Sequence, residues 1–163
     1  MNYIIDGHNL IAQLAGLDLS MPDDEQRLIE LLVRLGRYDH HKLEVYFDRA
    51  AIGQAGMQNF GRVQAYYVPQ NQTADDAIRK RLMSLRKSAK SWVVVSSDRA
   101  VQAAARESHA RVMSSVDFAN LLQDRLAGAS PKLRHPTPSN DELLSEAEVK
   151  EWEAIFRHGR KLK

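Results

Sequence analysis

Three short apolar runs in this chain each end on an aspartate. Tyr3-Ile4-Ile5 leads into Asp6, Leu43-Glu44-Val45-Tyr46-Phe47 into Asp48, and Trp92-Val93-Val94-Val95-Ser96-Ser97 into Asp98. Runs this short, rich in β-branched and aromatic residues, read as buried strands. Each acid then sits at the carboxyl end of a strand, the edge along which open parallel sheets build their ligand sites. Three carboxylates gathered there repel one another unless a cation lies between them. The pattern predicts a divalent-metal site of the kind that serves phosphate chemistry.

The remaining segments alternate helix with strand. Strands are expected at residues 2–5, 43–48, 63–68, 92–96 and 111–114. A turn at Gly7 and a short apolar helix around Leu10–Leu14 follow the first strand. A helix begins at Pro22, carries Leu28, Ile29, Leu31, Leu32, Val33 and Leu35 on one face, and stops near Gly36. Residues 49–61 hold Gly53, Gly56 and Gly61 with little periodicity and read as a mobile loop. Thr73 is expected to cap a basic helix, Asp98 or Ser97 the next, and Ser115 a helix that ends at Gly128. This alternation specifies an α/β, doubly wound, mostly parallel sheet. Bringing the acids of the first, second and fourth expected strands together requires the order 3-2-1-4-5.

Composition narrows the chemistry. The 163 residues suit one domain with an appendage, and a hydrophobic content of 44% supports a core. There is no cysteine, which excludes disulfides, thiolate metal sites and cysteine nucleophiles and is compatible with a cytoplasmic protein. No apolar run approaches the roughly 20 residues that span a bilayer, and Asp6 interrupts any export signal, so no membrane partner is expected. Net charge is only +2, yet Arg79, Lys80, Arg81, Arg86, Lys87 and Lys90 form a run without an acid. A second basic cluster, Arg157 to Lys163, closes the chain. Such patches on a nearly neutral protein are the footprint of a polyanion partner, although solvated helix faces carry similar runs.

Asp6-Gly7-His8-Asn9 is the strongest local motif: Gly7 permits a tight turn, and Asn9 offers an amide to the carboxylates or to a phosphate. Any one of these aspartates is explicable as a helix cap; three strand ends all choosing aspartate are not easily independent caps. Thr73-Ala74-Asp75-Asp76 adds a fourth candidate. Neighbours on a helix point about 100° apart, so Asp75 is assigned to the site and Asp76 to the cap.

The motifs Ile4-Ile5-Asp6-Gly7-His8-Asn9-Leu10-Ile11, Val45-Tyr46-Phe47-Asp48, Thr73-Ala74-Asp75-Asp76-Ala77-Ile78 and Val93-Val94-Val95-Ser96-Ser97-Asp98 resemble the NYN family of PIN-like nucleases, in its bacterial YacP-like branch. The resemblance spans roughly residues 2–127 and implies a Rossmann-like PIN fold and a metal-dependent endoribonuclease. By that likeness Asp6, Asn9, Asp48, Asp75 and Asp98 would line the catalytic site. His8 stands where family members often carry Tyr, and position 76 is often Glu.

Mechanistically, Asp6, Asp48, Asp75 and Asp98 are the expected ligands of Mg²⁺ or Mn²⁺, which favour oxygen donors. Water activated by the metal would attack the phosphodiester in line and leave a 5′-phosphate and a 3′-hydroxyl. No protein nucleophile is needed. His8, Ser97 and Asp76 are accessory candidates. Arg49, Arg79, Arg99, Lys80, Arg86 and Lys87 are the expected RNA contacts, and Phe60, Tyr66 and Tyr67 are candidates for base stacking, with at least one of the two tyrosines turned to the core. Two-histidine acid–base catalysis has little support, because nothing pairs the histidines. The main alternative is a catalytically weak RNA- or ribosome-binding module of the same fold; a DNA nuclease or a phosphatase fits less well.

Domain boundaries are expected at 1–128 for the nuclease domain, 129–144 for a Pro/Ser-rich linker, and 145–163 for an amphipathic helix with a basic tail. Trp152, Ile155 and Phe156 on that helix would dock on the domain, form a homodimer or bind a larger partner.

Overall fold

The computed structural model describes residues 1–14, 23–50 and 53–127. The expected linker and the helix at 145–163 lie outside the described residues, as do Pro22 and Gly128. Strand β1 (Asn2–Asp6) leads directly into helix α1 (Gly7–Ile11). Helix α2 (Asp24–Asp39), β2 (Leu43–Phe47), β3 (Gly56–Phe60) and β4 (Val63–Tyr67) follow. Then come α3 (Ala74–Leu85), a 3₁₀ turn (Arg86–Ser91), β5 (Trp92–Val95), α4 (Arg99–Glu107), β6 (Arg111–Met113) and α5 (Ser115–Ala127).

The sheet order is β3-β4-β2-β1-β5-β6, and every pairing is parallel except β3 with β4. Across the middle, Ile5 stands opposite Val45 on one side and Val95 on the other. Alternation along the strands sends side chains to two cores. Ile5, Val45, Phe47 and Val95 pack against α1, α2 and α5; Ile4, Tyr46, Trp92 and Val94 pack against α3 and α4. The result is a doubly wound α/β sheet with helices on both faces.

The expected strands and their order are present, but the loop expected over 49–61 contains β3. Gly61, at φ +74, turns the chain back through Arg62 into β4. Residues 56–59 are exposed at the sheet edge, so no buried face left a period-two apolar signal. Helix α2 runs through Gly36 to Asp39 and ends at His40 in a left-handed conformation (φ 56). Helix α1 begins at Gly7 itself, where a turn was expected. The cap of α5 is Ser114, whose Oγ accepts from the Asp117 N–H at 3.0 Å, one residue before the expected Ser115.

Candidate acidic cleft

The acids meet because β1, β2 and β5 are adjacent and parallel, so Asp6 and the residues just beyond Phe47 and Val95 share one edge. Gly7 makes the arrangement close. A Cβ there would run into the Phe47 ring and stand 3.0 Å from the Tyr46 carbonyl oxygen, so only glycine lets α1 start hard against β2.

Asp6 is the buried member, 7% exposed. Its carboxyl pKa is raised from 3.8 to about 6, first by burial, then by the Asp75 charge, with Asp48 adding to it. The Asn9 backbone N–H and the Ser96 hydroxyl, 3.4 Å from Oδ2, work the other way. Asp75 is also raised, by burial and then by Asp98 and Asp48, while Arg79 pulls it down. Asp6 thus feels Asp75 and Asp48, and Asp75 feels Asp98 and Asp48. Asp76 lies at the cap, its N–H donating to Thr73 Oγ1 at 3.1 Å.

Two of these acids also hold helices. Asp98 Oδ1 accepts from the N–H groups of Ala100 and Val101 at 2.8 and 3.2 Å. Asp48 Oδ1 accepts from the Ala74 N–H, tying the start of α3 to β2. The capping and the site readings therefore apply to the same residues, since a carboxylate has a second oxygen to offer.

Among the described residues, no three His, Asp or Glu side chains stand close enough to hold an ion as they are placed. The donor chemistry nonetheless fits a hard cation: a buried carboxylate, charged neighbours and oxygen ligands only. Mg²⁺ in particular keeps several waters and takes one or two carboxylates.

The other predicted residues divide. The Asn9 side-chain oxygen is taken up by hydrogen bonds; Oδ1 accepts from the Ser97 N–H at 2.8 Å and from the Ser115 hydroxyl. It ties α1 to the segments after β5 and β6. Ser97 Oγ accepts from the Ser115 N–H at 3.1 Å, so it holds α5 and not a carboxylate. Arg49 (φ 56), Arg79, Lys80, Arg86, Lys87 and Arg99 are exposed. Arg81 of the same basic run is not free for a polyanion, because it pairs with buried Glu44. Phe60 and Tyr67 pack on one core, and Tyr66 stacks on Tyr46 with centroids 4.7 Å apart.

Glu25 escaped the sequence reading. Its Oε2 lies 2.5 Å from His8 Nε2, and this hydrogen bond raises the His8 pKa against the pull of burial. His8 also lies over the Phe47 ring, with centroids 5.5 Å apart, and feels Asp48 and Asp6. The only sequence signal was the acid-rich start of α2, which suits a helix dipole equally well.

The family model of the YacP-like NYN domain matches residues 3–157. The fold is similar to solved structures of Rae1 (YacP) from Bacillus subtilis. One aligns with a TM-score of 0.64 at 24% identity, covering 98% of this chain and 96% of that chain. A mutant of the same protein aligns with a TM-score of 0.63 at 21% identity, covering 94% of this chain and 98% of that one. No curated protein matches this chain.

Proposed function

The chain belongs to the YacP-like NYN domain family, and from that premise we propose that it is an endoribonuclease that hydrolyses RNA with Mg²⁺ or Mn²⁺ held by Asp6, Asp48, Asp75 and Asp98. The observation that carries this reading is the buried Asp6 carboxylate, whose pKa is pushed up to about 6 with Asp75 and Asp48 beside it. Burying a carboxylate among like charges is costly, and a divalent cation removes the cost. When bound, that cation activates a water and neutralises charge on the scissile phosphate.

The chain's own groups do the rest. Asp6 and Asp75 supply acceptor oxygens at the end of β1 and the start of α3. Asn9 acts by tying the start of α1, beside Asp6, to Ser97 and Ser115, a positioning role. Glu25 holds the His8 ring at the rim. Arg79, one turn after Asp75, meets phosphate, and Lys80, Arg86, Lys87, Arg49 and Arg99 draw in the RNA backbone.

Among the described residues no helix is long and apolar enough to cross a membrane. The absence of cysteine is compatible with work in the cytoplasm.

A second reading, an RNA- or ribosome-binding module with weak catalysis, is favoured by two observations. Asp48 and Asp98 each commit an oxygen to a helix start, and no three acids form a ready chelate among the described residues.

The chemistry of the product ends tests the proposal. Hydrolysis by activated water leaves a 5′-phosphate and a 3′-hydroxyl; a 2′,3′-cyclic phosphate would instead implicate acid–base attack by the ribose hydroxyl and contradict it.

A further inference from the structure

Helices α3 and α4 both start at the acidic cleft. Asp75 is the second residue of α3, and Asp98 is the N-cap of α4. The two helices pack side by side on the same face of the sheet. Between them runs an open groove of about 450 Å³, lined by Arg79 and Met83 from α3 and by Ala100, Ala103 and Ala104 from α4. It ends at Glu107 and Ser108. From Ala100 to Glu107 the helical rise is about 10 Å.

Three features of this groove are unusual for a plain surface. Met83 is 75% exposed, an unbranched apolar side chain with nothing over it. Its α4 side presents alanine at positions 100, 103 and 104, which leaves room for a flat ligand. The two ends carry opposite charge, Arg79 beside the acids and Glu107 away from them. The volume falls in the range that takes one small-molecule-sized unit, not a helix or a strand pair.

We propose that this groove is the subsite for the single-stranded RNA next to the scissile bond, an inference that rests on the function proposed above. The neighbouring phosphate meets Arg79, and its nucleobase lies over Ala100 and Ala103 against Met83. The charge at the two ends sets the direction. A phosphate is drawn to Arg79 and repelled by Glu107, whereas a base can donate amino or imino hydrogens to that carboxylate. A duplex cannot enter, because its bases are stacked and paired; the groove therefore selects unpaired RNA.

The test is fluorescence anisotropy with a labelled single-stranded RNA oligonucleotide, run in EDTA and again in Mg²⁺. It compares the full-length chain with Ala103→Glu and Ala103→Gln. Ala103 is exposed, and thermal melting of both variants checks that they fold. A carboxylate that fills the base position, beside the phosphate held at Arg79, weakens binding by about tenfold or more in Ala103→Glu, with a smaller loss in Ala103→Gln. Unlabelled RNA duplex competes poorly. Wild-type affinity in Ala103→Glu, or competition by duplex equal to that by single strand, overturns the groove assignment while leaving RNA binding intact. Failure of the wild-type chain to bind the oligonucleotide in either condition overturns the groove and the RNA reading together.

Discussion

The Arg81 guanidinium closes on the fully buried carboxylate of Glu44, with Nη2 2.8 Å from Oε1 and Nε 2.9 Å from Oε2. Tyr46 donates its hydroxyl to the same group at 3.0 Å, and the guanidinium lies 5.3 Å from the Trp92 ring centroid. One cation of the basic run therefore holds α3 onto β2. Removing it leaves the buried carboxylate only Tyr46 and the more distant Lys42, at 3.7 Å, so Arg81→Met is expected to cost about 3 kcal/mol in urea unfolding. Adding Glu44→Leu should restore much of that loss, because the pair can be replaced by apolar packing.

The exposed cations behave in the opposite way. Replacing Arg79, Lys80 and Lys87 together by alanine should leave urea stability within about 0.5 kcal/mol. RNA affinity should fall, and the salt dependence of binding should flatten. Each lost phosphate contact removes about 0.7 from the slope of log K against log salt for a single strand, so the triple variant loses about 2. An unchanged slope would place the RNA elsewhere.

Asp6 gives a pH dependence with a definite sign. Its folded pKa, about 6, lies above the ordinary 3.8, so the folded state holds that proton more tightly. Between those values stability falls as pH rises. The rise in pKa corresponds to about 3 kcal/mol, a penalty absent below about pH 4 and complete above pH 6 to 7. Asp6→Asn is accordingly expected to melt higher than wild type at pH 7.5 and equally at pH 4. Mn²⁺ should narrow the gap at pH 7.5 by stabilising wild type alone.

Gly7→Ala pushes a methyl group into the Phe47 ring and toward the Tyr46 carbonyl oxygen. We expect a loss of about 1–3 kcal/mol in unfolding. The larger effect should be on activity, because Asp6 and His8 flank the displaced start of α1.

Much of this was legible in the sequence because burial leaves a periodic record. β1, β2 and β5 are flanked by strands and buried on both faces, so they read as apolar runs with their acids at the ends, and the sheet order followed from bringing those acids together. β3 left no such record, being an exposed edge strand, although the Gly61-Arg62 turn before an alternating run was a hairpin signal. Arg81 and Glu44 are 37 residues apart, and Glu25 lies 17 residues from His8. No local spacing announces such pairs. Ser97 neighbours Asp98 in the chain and Asn9 follows from the family likeness, and neither signal announced that both also bond Ser115. Adjacency in sequence does not fix the direction of a side chain.

Cleavage of a mixed-sequence single-stranded RNA decides whether these acids hold a catalytic metal, with wild type in Mn²⁺, wild type in EDTA, and Asp6→Asn in Mn²⁺. Cutting is expected in the first and none in the other two, with RNA binding by Asp6→Asn retained. Cutting that survives EDTA or Asp6→Asn would contradict that role. So would wild-type protein that binds the RNA in Mn²⁺ and leaves it whole.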